Sequence, residues 1–258
     1  MRSSCISSDH AALPFRRPLL VVAHPDDEAL WFSSVLSRGA TVVVCFLDYG
    51  AAPQVGPARR LALSAHPLAP HCLGVREPDS LDRADWRAPR LDRVGLWLAD
   101  PRARRRYRRA ARRLESLLPP LLRDHDAVFT HNPWGEYGHE DHVLVHAILK
   151  RAAVRAGTEL WVPLCAARKA RPLARRFALD RGAERLALPS DARLARAIRE
   201  VYRSHGCWTW NPRWRWPAIE TFARASDLLT AGAPLAAPRQ SDPWFLEPLP
   251  LGARRNDR

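Results

Sequence analysis

The stretch VVAHPDDEAL, Val21–Leu30, leaves an apolar run and at once places His24, Asp26, Asp27 and Glu28 within five residues, interrupted by Pro25. Three consecutive carboxylates repel one another, so something must offset them. Acids in the first turn of a helix oppose its positive dipole end, and DDE alone can be no more than a helix start. The other reading puts a cation among them. The flanks say where the cluster sits. PLLVVA, residues 18–23, is long enough for a buried strand. ALWFSSVLSRG after the acids has amphipathic helical spacing and stops at Gly39, a residue suited to a helix C-cap. TVVVCFLDYG, 41–50, is a second β-branched run closed by Gly50. Strand, helix and strand in about 30 residues make a βαβ unit with parallel strands.

Working outward, a short helix is expected near Ala58–Ala65 and a strand start at HCLGV, with 76–100 irregular and polar. DPRARRRYRRAARRLESLLPP begins at Asp100, a good N-cap, with Pro101 at the first helical position. Ala103, Tyr107, Ala110, Leu114, Leu117 and Leu118 share one face of that helix. Its arginines cover the others; a solvated outer helix is favoured over a phosphate-binding stripe. DAVFTH, 126–131, reads as a third strand, NPWGEYGHED as a loop, and His142 to about Arg155 as a helix. ELWVPL, 159–164, reads as a fourth strand. Residues 166–189 are basic and broken by proline, as a linker or insertion would be, and Ser190 is placed to cap DARLARAIREVYRSH. The expected organisation is a flexible leader 1–17, one α/β domain 18–240 (core 18–165, variable part 166–240) and a tail 241–258.

Two histidine-acid clusters stand out. HPDDE follows the first strand directly, and GHEDH, 138–142, follows the third by a short loop. Ligands of open α/β sheets bind at the carboxyl ends of the strands, so both clusters fall on one edge. His24 and Asp27 are three apart, as are His139 and His142, a spacing that keeps each pair on one side of a helix start. Imidazole and carboxylate are ordinary zinc ligands, and catalytic zinc takes three protein ligands with one position open. Two ligands from the first loop and one from the second would build that site. A remaining carboxylate could take a proton from water, and a remaining histidine could stabilise an oxyanion or protonate a leaving group. The inventory suits metal-assisted hydrolysis of an amide or ester. Glu28 is left structural, because three acids exceed what one zinc needs.

AHPDDE at Ala23–Glu28, with GHEDHVLVH at Gly138–His146, resembles the LmbE/PIG-L deacetylases over about residues 18–150. The resemblance implies a Rossmann-like three-layer fold with a mostly parallel sheet. It implies a zinc-dependent hydrolase removing an N-acetyl group from an N-acetylglucosamine-type amino-sugar conjugate. By position it implies His24, Asp27 and His142 as zinc ligands and Asp26 as the general base that activates water. His139 would polarise the carbonyl oxygen or serve the leaving amine, Asp141 would orient His139, and His146 would pack on its helix. The same nitrogen and oxygen donors also accept Fe2+ or Co2+. The chain departs from the family pattern in places that help hold substrate. The turn after the second strand is Leu47-Asp48-Tyr49-Gly50, and Arg59 and Arg60 are followed by LALS with no acid. Asp48 and Arg60, with Trp134, Glu136 and Tyr137 of the loop before GHEDH, are the candidate substrate-binding residues; packing of the loop accounts for the last three equally well.

Bulk properties narrow the remaining classes. Net charge is +14 on 258 residues, with Lys150 and Lys169 as the only lysines. An arginine-rich, lysine-poor composition fits a GC-rich coding sequence as readily as an anionic partner. Cys5, Cys45, Cys72, Cys165 and Cys207 are odd in number and widely spaced, which fits neither a disulfide framework nor a thiolate metal site. With no apolar run long enough for a membrane span and no signal-peptide pattern, a cytoplasmic protein is expected, and a homo-oligomer is allowed. CWTWNPRWRWP, 207–217, is either a glycan- or lipid-facing rim with strand-like alternation, or a packed lid or dimer contact. Two other functions compete with deacetylation. One is a related amide hydrolase for a larger acyl group or thiol conjugate. The other is a basic nucleic-acid binder with a degenerate fold, whose affinity would fall steeply with salt and ignore Asp26; a nucleic-acid partner is not expected.

Overall fold

The structure is a computed structural model that describes residues 13–179 and 183–230. The leader before Leu13 and the tail 241–258 lie outside the described residues. In chain order the strands and helices are β1 Pro18–Val22, α1 Asp27–Trp31, α2 Ser33–Leu36, β2 Thr41–Phe46, α3 Val55–Ser64 and β3 His71–Val75. A small hairpin follows, β4 Leu91–Asp92 and β5 Gly95–Leu96, then α4 Pro101–Leu121, β6 Ala127–Thr130, α5 Glu140–Ala156 and β7 Glu159–Pro163. The chain continues with α6 Arg171–Ala174, β8 Phe177–Leu179, β9 Arg185–Pro189, α7 Ala192–Ser204, β10 Ile219–Arg224 and β11 Leu228–Thr230.

The central sheet has seven strands in the order β3-β2-β1-β6-β7-β10-β9. β3, β2, β1, β6 and β7 run parallel. β10 and β9 close one side antiparallel. β1 is buried on both faces, which is why it reads as an unbroken apolar run and not as an alternation. Leu19, Val21 and Ala23 face a core shared with α4 and α5, and Leu20 and Val22 face one shared with α1, α2 and α7. Helices therefore cover both faces of a mostly parallel sheet, the three-layer architecture expected.

Four local expectations are corrected. The helix expected to run to Gly39 is split at Phe32, whose φ is −137°. The cause is tertiary. In a continuous helix the Ser33 N–H would donate to the Ala29 carbonyl, but the Trp216 indole N–H takes that carbonyl at 2.6 Å. The Glu220 carboxylate accepts instead from the N–H and hydroxyl of both Ser33 and Ser34, at 2.5 to 3.1 Å. α5 starts at Glu140 and not His142, because the His139 ring caps it by accepting from the Asp141 N–H. α7 is capped by Asp191, whose Oδ1 accepts from Leu194 N–H; the N–H of Ser190 is engaged with the Ala218 carbonyl. Residues 166–189 are not a plain linker: β9 is an edge strand of the main sheet.

The Trp-rich segment 207–217 contains no strand; β10 begins just beyond it. Trp210 and Trp214 are buried, packed on each other and on Trp31, as the packed alternative expected.

Glu220 ties β10 to α2 through four donors that have no other way to be satisfied in the core. Glu220→Ala is expected to cost about 3 kcal/mol of stability, read as a lower urea midpoint at unchanged slope. An unchanged midpoint would contradict this account of the helix break.

Candidate active site

β1 and β6 are parallel neighbours with Val21 paired to Thr130. The chain leaves β1 toward β2 on one side, while β6 lies on the other. The loops after β1 and β6 therefore open side by side at the crevice where strand order reverses, the usual ligand position of such sheets. His24, Asp26 and Asp27 come from the first loop, and Glu136, His139, Asp141 and His142 from the second and the start of α5.

Asp27 is the focus. Its Oδ2 lies 3.2 Å from His24 Nδ1 and 3.2 Å from His142 Nε2. These three donors lie within 4.8 Å of one another and could hold a metal ion. All three side chains are buried. Their far sides are fixed by acceptors. His24 Nε2 meets Asp141 Oδ2 at 3.1 Å, and His142 Nδ1 meets Glu136 Oε2 at 2.6 Å. With a cation bound, the ring hydrogens would sit on the nitrogens facing Asp141 and Glu136, leaving His24 Nδ1 and His142 Nε2, beside Asp27, as ligand atoms. His142 Nε2 is buried with no hydrogen-bond partner, the mark of a nitrogen waiting for a ligand. The donor set fits a divalent cation of zinc type.

A second grouping, His24 with His139 and Asp141, also lies within ligand distance. Its atoms are already engaged. Asp141 accepts from the Ser80 hydroxyl and contacts His24, and His139 Nδ1 accepts the Asp141 N–H. The His24, Asp27 and His142 set is therefore the better cation site. The same contacts show how Asp141 is placed. Its backbone meets His139 through the helix cap, while its carboxylate runs past the ring to His24 and Ser80.

Charge follows from this packing. Burial opposes ionisation of Asp27, yet His142, His131 and His24 hold it well below the usual carboxylate range. Burial works against the His142 cation too, but Asp27 and Glu136 push it up to about 9. Burial and the Asp27 charge raise Asp26 well above the usual range. Burial, with His24 and His142 nearby, keeps His139 well below the usual histidine value, so its ring is neutral at pH 7. With Nδ1 accepting, its Nε2–H is the free donor.

Two candidate substrate residues are placed as the loop-packing alternative has them. Glu136 is buried behind His142, where it also accepts from the Asn132 N–H and contacts His131 Nδ1. Its residue type suggested a sugar partner, but its partners are ring and backbone N–H groups. Trp134 is buried, donating its indole N–H to the Cys165 carbonyl and packing on Phe177. Tyr137 does border the site, with its ring 5.3 Å from that of His142, 5.7 Å from His139 and 4.6 Å from Trp210. Asp48 and Arg60 pair with each other at 2.9 Å, both about half exposed, after the carboxyl end of β2.

His146 packs on its helix, with Nδ1 2.8 Å from the His131 carbonyl. Glu28 is fully buried.

Three residues had no motif to mark them. His131 directly follows β6, accepts the Ala23 N–H on Nε2 at 2.8 Å and backs Glu136. Its place at a strand's carboxyl end was the available signal. Glu77, after β3, pairs with buried Arg59 and lies 3.9 Å from His24 Nε2. It supplies from another element the acid that the helix after Arg59 lacks. Thr209 donates to Asp26 Oδ2 at 3.1 Å from a segment 183 residues away, which no local pattern could reveal.

Against known proteins, the family described as PIG-L: GlcNAc-PI de-N-acetylase matches residues 19–153. The chain is 33% identical over 165 residues to the 1D-myo-inositol 2-acetamido-2-deoxy-alpha-D-glucopyranoside deacetylase of Kineococcus radiotolerans, covering 55% of this chain and 45% of that one. It is 34% identical over 169 residues to the protein of the same name from Rhodococcus jostii, covering 55% of each. The chain spans about half the length of these curated relatives. Among solved structures, a deacetylase-teicoplanin complex from the teicoplanin biosynthesis pathway superimposes with a TM-score of 0.51 at 15% identity, covering 84% of this chain and 100% of that one. At that identity the likeness concerns the fold.

Proposed function

Because the chain belongs to the PIG-L family, we propose that it is a metal-dependent hydrolase that removes the N-acetyl group from an amino-sugar conjugate of N-acetylglucosamine type. The observation that carries this reading is the orphaned, buried His142 Nε2 facing Asp27 Oδ2 and His24, with the Asp26 carboxylate beside them. The deacetylase names of the relatives support the substrate class.

His24 Nδ1, Asp27 Oδ2 and His142 Nε2 would hold the ion, with zinc the first expectation and Fe2+ or Co2+ the alternatives. When bound, such an ion supplies Lewis acidity toward water and the amide carbonyl. The chain's own residues do the rest. Asp26, with its pKa raised, accepts the proton of the attacking water. His139, neutral, offers Nε2–H to the carbonyl oxygen as negative charge develops there, and the proton taken by Asp26 passes to the departing amine. Asp141 and Glu136 keep the His24 and His142 rings turned toward Asp27. Tyr137 offers an aromatic face to a sugar ring, and Asp48 and Arg60 are rim contacts for its substituents. The products are acetate and the free amine.

Among the described residues Cys45, Cys72, Cys165 and Cys207 are free thiols. Among the described residues no helix is long and apolar enough to cross a membrane.

Chelation followed by metal return tests the reading. Amine release from N-acetylglucosamine conjugates should vanish after chelator dialysis and return with zinc, iron or cobalt. Unchanged release after verified metal removal would overturn it. A survey of acyl lengths separates deacetylation from cleavage of larger acyl groups. Glu136→Gln puts an amide N–H against one of three N–H donors and is expected to weaken metal affinity about 10–100-fold, measured by competition with a chromophoric chelator. Affinity equal to wild type would remove Glu136 from that role.

A further inference from the structure

Asp26 occupies an unusual backbone position, with φ +106° and ψ −24°. L side chains adopt positive φ at a cost, and such residues persist where the surroundings hold them. Two contacts hold this one. On the backbone side, the Asp26 N–H donates to Glu28 Oε2 at 3.1 Å. Glu28 is itself anchored, since Tyr202 OH of α7 donates to its Oε1 at 2.8 Å and His66 Nε2 lies 3.3 Å from the same oxygen. On the carboxylate side, Thr209 Oγ1 donates to Asp26 Oδ2. Tyr202 and Thr209 both lie beyond the family-matched span 19–153.

The Trp-rich segment then has a use that its composition did not suggest. Cys207 and Trp210, on either side of Thr209, are buried, and Trp210 packs on Trp31, the last residue of α1, and on Tyr137. Thr209 itself is exposed, so its hydroxyl is presented at the open side of the site by anchored neighbours. A hydroxyl that donates to Oδ2 fixes the rotation of the carboxylate and directs Oδ1 to the proton being taken.

We propose that Thr209 is a positioning residue for Asp26, carried by the Trp-rich segment as its rigid mount. The inference rests on the assignment of Asp26 as base in the proposed deacetylase. Thr209→Val keeps the shape and removes the donor, and Thr209→Ser keeps the donor. In the metal-loaded full chain, Thr209→Val is expected to lower kcat about tenfold with KM, metal content and Tm unchanged. Thr209→Ser should recover most of the rate. Adding Thr209→Val to Asp26→Asn should cost nothing further, because the two act through one group.

Three outcomes overturn the inference. Thr209→Val could turn over at the wild-type rate while Asp26→Asn is inactive, which leaves the deacetylase reading intact. Valine and serine variants could lose rate equally with lowered Tm, which would make the role packing. Or the losses from Asp26→Asn and Thr209→Val could multiply. If Asp26→Asn itself turns over like wild type, the underlying reading fails, and Thr209 with it.

Discussion

Asp26→Asn is expected to reduce kcat for amine release by about 10²–10⁴-fold while the protein keeps its metal. Asparagine preserves the shape and is among the residues that tolerate positive φ, so the Asp26 backbone should survive the change. It can still accept from Thr209, but it cannot take a proton from water. Alanine would confound the test by straining the loop. The expected signature is a collapse in kcat with metal content, KM and Tm close to wild type. Activity within a few-fold of wild type would show that Asp26 is not the base, and another carboxylate would have to be sought.

Asp27→Ala should act earlier, at assembly of the site. Its Oδ2 faces His24 and His142 at 3.2 Å and His131 at 3.5 Å, so its loss removes one proposed ligand and a carboxylate facing three rings. Metal per chain should fall from near one to near zero by elemental analysis, and turnover should fall to background. Linkage adds a reading that does not depend on activity. A ligand that binds only the folded protein stabilises it by about 2.7 kcal/mol at 100 times its Kd, so added zinc should raise the wild-type Tm. The Asp27→Ala Tm should not respond. A zinc-dependent rise equal to wild type would move the metal to a grouping without Asp27, either His24 with His139 and Asp141 or His131 with Glu136 and His142.

The difference between these two neighbouring acids lies in where their carboxylates point. Asp27 is in the first turn of α1 and faces the histidines. Asp26, one residue earlier and with positive φ, turns toward Thr209. Glu28 turns the opposite way, into the core, to Tyr202 and His66. The three adjacent acids thus have different partners, although the Asp27 and Glu28 charges still raise Asp26.

Local patterns were enough to see the parallel core. β1, β2, β6 and β7 are short apolar runs, and each cluster of histidine and acid follows one of them. That placement alone put both clusters at one sheet edge. What stayed hidden depends on contacts between distant segments. Nothing near Phe32 announces a helix break, because Trp216 and Glu220 impose it from the other end of the domain. Glu136 looks like a sugar contact until its position behind His142 is known. The missing acid partner of Arg59 is Glu77, which lies across β3 and not on the same helix. β10 escaped notice because the tryptophans before it imitate strand alternation while lying in irregular chain. In each case the deciding term is a buried polar group finding its partner, and sequence spacing carries no record of partners more than a few turns away.

The most direct measurement is amine release from a panel of N-acetylglucosamine conjugates by the metal-loaded chain, with acetate measured alongside. The account predicts equimolar amine and acetate from at least one conjugate, absent after chelation. Bound metal with neither product from any conjugate in the panel would contradict the deacetylase claim.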